Sequence, residues 1–96
     1  MKLQHKAIAA TVDQIAVAGE CFLVGAELSD AAEDAFMAVY NSTTTTAAQL
    51  LFTLRSSAVA ETQYANIMFP LPGIKCDNIY VNIDGAAGTG TIYYYV

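Results

Sequence analysis

Proton transfer and nucleophilic attack need convergent groups with tuned pKa values, and this chain offers few of them. Its only histidine is His5, beside Lys2 and Lys6 near the amino terminus. A solvated ring is expected there rather than a general base. Ser-His-acid and Cys-His arrangements would both have to draw on that one ring, so neither is predicted. Asp30, Glu33 and Asp34 fall close together and have the chemistry to bind calcium or to protonate a glycosidic oxygen. The alternating oxygen ligands, central Gly and terminal Glu of a calcium loop are missing, so a solvated acidic loop is the expectation. Asp77 and Asp84 bracket one apolar run and would stand at its opposite ends. Cys21 and Cys76 are too far apart in sequence for a metal knuckle, and two sulfurs without a nearby His cannot complete a zinc site. Buried free thiols are expected, with a disulfide as the alternative. Gly85-x-x-Gly88-x-Gly90 has the look of a phosphate-cradling loop, but such loops open a helix whose amides hold the anion. Here Thr91-Ile92-Tyr93-Tyr94-Tyr95 follows, without a Lys. The sequence therefore implies no catalytic residue, no cofactor and no metal site, and a protein that is not an enzyme.

What remains is aromatic surface, and its placement depends on the strands that carry it. Short runs of period two recur between turn clusters, the pattern of sandwiches and barrels. In residues 77–84, Ile79, Val81 and Ile83 alternate with Asn78, Tyr80 and Asn82, which predicts a strand with one core face. In 90–96, Ile92, Tyr94 and Val96 fall on one side and Thr91, Tyr93 and Tyr95 on the other. The intervening Asp84-Gly85 and later glycines predict a hairpin between these two strands. In 48–55, Ala48, Leu50, Phe52 and Leu54 share a face, with Leu51 out of place. Further strands are expected over 5–11, 21–28 and 63–69, the last ended by Pro70-Leu71-Pro72-Gly73. Residues 29–40 offer a helix start capped by Ser29 or Asp30, but a polar loop through Asp34 followed by a strand is preferred. The expected fold is all-β: a single antiparallel β-sandwich, jelly-roll-like, of seven or eight strands. Residues 1–14 form an N-terminal arm or first strand, and 15–96 the sandwich domain.

With Ile92 and Val96 inward, the hairpin would bring Tyr80, Tyr93 and Tyr95 together around Asn82 as a flat amphipathic patch of the composition enriched at protein interfaces; the alternative puts Tyr93 and Tyr95 in the core and Tyr94 outside. Lys2 and Lys6 are half of all Lys and Arg, so the amino-terminal segment is a second candidate contact, reaching a neighbour's acidic surface. These six residues are the candidate interface. Composition supports such a surface. The 96 residues are 55% hydrophobic and only 14% charged, which excludes disorder and leaves an apolar surplus to hide against copies of the chain or a larger partner. A net charge of −5 lacks the basic footprint of nucleic-acid binding. Glu20, Glu27, Asp30, Glu33 and Asp34 interrupt the only long apolar stretch, so no membrane span is expected. Thr11, Asp13 and Gln14 break the stretch after the charged start, which argues against a secretory signal and for synthesis in the cytoplasm.

The runs Ala18-Gly19-Glu20-Cys21-Phe22-Leu23-Val24-Gly25-Ala26-Glu27-Leu28, Phe36 to Thr43, Leu50 to Leu54, the Pro72-Gly73-Ile74-Lys75-Cys76 turn, and Asn78 to Gly85 with Gly88 to Tyr94 resemble small structural proteins of tailed bacteriophage virions. The resemblance covers about residues 15–96 and rests on pattern and turn placement. It implies a compact sandwich or jelly-roll domain, a virion location after synthesis in the host, and a decoration or cement role on the capsid. The implied partners are the major capsid protein or other virion proteins, with the chain itself a homo-oligomer such as a trimer. A tail, fibre or head-to-tail adaptor component shares the same features. A carbohydrate-binding module on the same fold would also use an exposed aromatic platform, and the lack of Trp counts against it.

Overall fold

A computed structural model describes residues 3–8, 14–29, 35–56, 64–84 and 89–96. Seven strands carry nearly all of them: β1 (Leu3–Ile8), β2 (Gln14–Ser29), β3 (Ala35–Tyr40), β4 (Leu50–Ser56), β5 (Tyr64–Met68), β6 (Ile74–Asp84) and β7 (Thr89–Tyr95). A 3-10 turn at Ala47–Gln49 leads into β4. Among the described residues there is no helix long and apolar enough to cross a membrane.

All pairings are antiparallel, in the order β1-β7-β2-β6-β3-β4, with β5 also on β2. The 16-residue β2 organises the sheet. Its first part, Gln14 to Leu23, pairs with β6, while Phe22 to Ser29 pairs with β7 and Gly25 to Ser29 with β5. Register shifts between Ile15 and Val17 and between Ala18 and Cys21 bend the strand midway. Gly19, at φ 97°, sits in the second shift and donates its N–H to Asn78 Oδ1 at 3.0 Å. The sheet thereby folds back on itself as an all-β sandwich. One layer holds β1, β7, the second half of β2 and β5; the other holds the first half of β2 with β6, β3 and β4. Two contacts mark the packing of one layer on the other: Gly90 lies over Ile83 and Met37, and the Phe52 and Phe69 rings meet at 5.5 Å.

The core follows from alternation. Leu23, Leu28, Met37, Val39, Ile79, Val81, Ile83 and Ile92 are fully buried between the layers. Ile79, Val81 and Ile83 thus occupy the core face expected of them, and β3 is a strand as expected for the end of 29–40. The acidic residues Asp30, Glu33 and Asp34, and Gly85 and Gly88 of the glycine loop, lie outside the described residues.

Three expectations are corrected. β6 and β7 do not form a hairpin: β2 holds β6 along Ile74 to Val81 and β3 holds it along Tyr80 to Asp84, and β6 has no rung with β7. β7 pairs instead with β1 and with the second half of β2, where Ala26 matches Ile92. In β4 a register shift opposite Val39 and Tyr40 sets Leu50 against Tyr40 and leaves it 44% exposed, while Leu51 packs on the core with Phe52. Val96 lies beyond the last rung, Leu3 against Tyr95, and is exposed rather than core. Residues 3–8 form β1, hydrogen-bonded to β7 from Leu3 opposite Tyr95 to Ile8 opposite Gly90.

Candidate interaction surface

On β7, Gly90 and Ile92 are buried and Tyr94 packs against the core, donating its hydroxyl to Gln4 Oε1 at 3.4 Å. Thr91, Tyr93 and Tyr95 therefore face the other way, away from the opposite layer. Residues directly opposed in a ladder share a face, so the register extends these rings into rows across the layer. Tyr95 is flanked by Leu3 on β1 and Phe22 on β2, and Phe22 in turn by Lys75 on β6. Tyr93 is flanked by His5 and Gly25, and Gly25 by Met68 on β5. The His5 and Tyr93 rings are 6.4 Å apart, and the Met68 side chain lies over Gly25, where any Cβ would displace it. Leu3 is 50% and Met68 60% exposed. The two rows form one aromatic and aliphatic surface spanning about 14 Å across four strands. Its composition, Tyr, Phe, Met and Leu with charges only at the margin, is that of an interface core.

Tyr80 and Asn82 belong to a different surface. Tyr80 stands in a row with Ile15, Tyr40 and Leu50 on the outside of the second layer, and Asn82 lies opposite Ala38. The Tyr40 and Tyr80 rings meet edge-on at 6.4 Å and 63°. In the next row but one, the Arg55 guanidinium sits 4.7 Å from the Phe36 ring centre. The single patch of three tyrosines around Asn82 is thus not formed, since β2 intervenes between β6 and β7. Lys6 is exposed but stands opposite Ile92, on the face of β1 turned away from Tyr93 and Tyr95. Lys2 lies outside the described residues.

Sequence reasoning passed over Leu3, His5, Phe22 and Met68 as members of the Tyr93 and Tyr95 surface. Phe22 carried a usable signal, because it alternates with the inward Cys21 and Leu23. The others become neighbours only through the pairing of β1 and β5 with their partners, which no local pattern encodes.

The described residues hold no group of three or more His, Cys, Asp or Glu side chains able to share a metal ion. Cys21 and Cys76 are free, buried and directly opposed on β2 and β6. Burial raises the Cys21 thiol above its ordinary value, with the Asp77 charge adding to the rise. The same causes, with Cys21 itself, push Cys76 up to about 11 against a hydrogen bond at Leu23 that works the other way. Neither is an activated nucleophile. Compared with protein-family models and with curated proteins, the sequence matches none.

Proposed function

We propose that this chain is a non-enzymatic structural protein of a tailed-phage virion, which binds and stabilises the capsid as a decoration or cement protein through the outer face of β1, β7, β2 and β5. The observation that carries the reading is the continuous pair of rows Leu3-Tyr95-Phe22 and His5-Tyr93-Gly25-Met68. An outward sheet face that served only solubility would alternate to polar side chains. This one instead presents rings whose apolar bodies bury readily and whose hydroxyls keep a hydrogen bond. The resemblance of residues 15–96 to small virion proteins gives that surface a protein lattice as its partner. Repetition over many copies then adds up small interfaces into a stable coat, whether each copy binds as a trimer or alone.

The test is co-sedimentation of purified protein with capsid shells of the phage that encodes it. Tyr93→Ala and Tyr95→Ala are expected each to weaken binding about tenfold or more, as aromatic anchors at the centre of an interface do. Tyr80→Ala, on the other layer, is expected to bind as wild type. Equal binding by all four proteins would remove the face from the reading.

A further inference from the structure

The interior holds two side chains that a docking role does not use. Cys21 and Cys76 face each other across the β2–β6 ladder, 3% and 1% exposed, and belong to the same buried cluster. Their side chains therefore point to one face from directly opposed positions. Such pairs have Cα atoms about 4.5–5.5 Å apart, inside the roughly 4.4–6.8 Å that a disulfide bridges. Each is a free thiol, and the influence of Cys21 on the Cys76 proton fits their close approach. The register shift next to Cys21, between Ala18 and Cys21, gives the backbone of β2 room to adjust.

We propose that Cys21 and Cys76 are a latent cross-strand disulfide, held as thiols in a reducing cytoplasm and closed by a small disulfide oxidant of the oxidised-glutathione class. In the first step one cysteine loses its proton and its sulfur attacks the oxidant. The oxidant's S–S bond breaks, a mixed disulfide forms, and one oxidant thiolate leaves and takes up a proton. The second cysteine then attacks the protein sulfur of that mixed disulfide and expels the other half as a second thiol. The two cysteines lose two electrons, and one oxidant molecule becomes two thiols. Burial excludes the oxidant from the closed fold, so the reaction waits for β2 and β6 to separate and is slow under native conditions. Once made, the bond ties two central strands across a long stretch of chain and stabilises the fold.

The experiment incubates the reduced full chain with oxidised glutathione, with and without mild urea, and reads the intact mass. Trypsin cleavage after Lys6, Arg55 and Lys75 places Cys21 in fragment 7–55 and Cys76 in fragment 76–96. The expected product is a monomer lighter by two hydrogens, with these two fragments linked, formed faster in urea. After the urea is removed, its thermal midpoint should be higher than that of the reduced chain by about 5–15 °C. Stable glutathione adducts, disulfide-linked dimers, or an oxidised monomer that melts below the reduced one would overturn the proposal. Cys21→Ala and Cys76→Ala should each stop at one glutathione adduct; because these variants bear on the same core, the wild-type mass and linked fragments decide the matter if either fails to fold.

Discussion

Ile92 lies between Ala26 and Lys6 in the ladder and is fully buried, while Tyr93, one position on, lies between Gly25 and His5 on the outer face. The two positions should therefore separate stability from binding. Ile92→Ala removes core volume and is expected to cost about 2–5 kcal/mol in urea unfolding. Tyr93→Ala removes cross-strand contacts on an outer face and is expected to cost about 1 kcal/mol or less. The buried thiols give a second prediction. In the unfolded chain they ionise near their ordinary value of 9.0, whereas folding holds Cys76 to about 11 and raises Cys21 as well. The folded state keeps protons that the unfolded state releases, so this contribution is whole below about pH 9 and is lost as pH rises towards about 11. Wild type should lose more stability over that interval than the Cys21→Ala, Cys76→Ala double variant, which shares every tyrosine. Equal losses in urea titrations at the two ends of the interval would remove the thiols as the cause.

At the scale of elements, two glycines hold the bends by different means. Gly19 and Gly73 both have φ above +90°, but a Cβ on Gly19 meets open space, whereas one on Gly73 runs into the Leu23 carbonyl. Gly19→Ala should cost about 1–2 kcal/mol for the left-handed backbone alone. Gly73→Ala should cost distinctly more, since the carbonyl belongs to a central strand and cannot step aside. Equal unfolding free energies for the two variants would contradict the assignment. These elements also show what was legible beforehand. Period two placed Ile79, Val81 and Ile83 in the core and put Tyr93 and Tyr95 on the face opposite Ile92, because alternation is local. Pairing is not local. The glycines after Asp84 suggested a hairpin, yet the free edges that decide a partner belonged to β2, ten or more rungs of ladder built from distant sequence. The bulge that turned Leu50 out and Leu51 in was likewise invisible, since it depends on the register of β3 against β4.

For the whole molecule, the apolar surplus of the sequence resolves into a core between two layers and two sets of half-buried rings on opposite outer surfaces. Tyr80 with Tyr40 marks one and Tyr93 with Tyr95 the other. Among the described residues, Lys75 and Glu27 are formal charges beside the Tyr93 and Tyr95 rows. Attachment through such a surface depends on burial of apolar area more than on charge, so raising salt from low to physiological strength and above should change the affinity by less than about threefold. A steep loss of binding with salt would point to charged contacts instead. The most direct test of the proposed docking face is the bound fraction of wild type, Tyr93→Ala, Tyr95→Ala and Tyr80→Ala on capsid shells, measured beside their unfolding midpoints. Loss of binding by the two β7 variants with folding intact, and full binding by Tyr80→Ala, is the predicted result. Full binding by the β7 variants, or loss only where folding is lost, would contradict it.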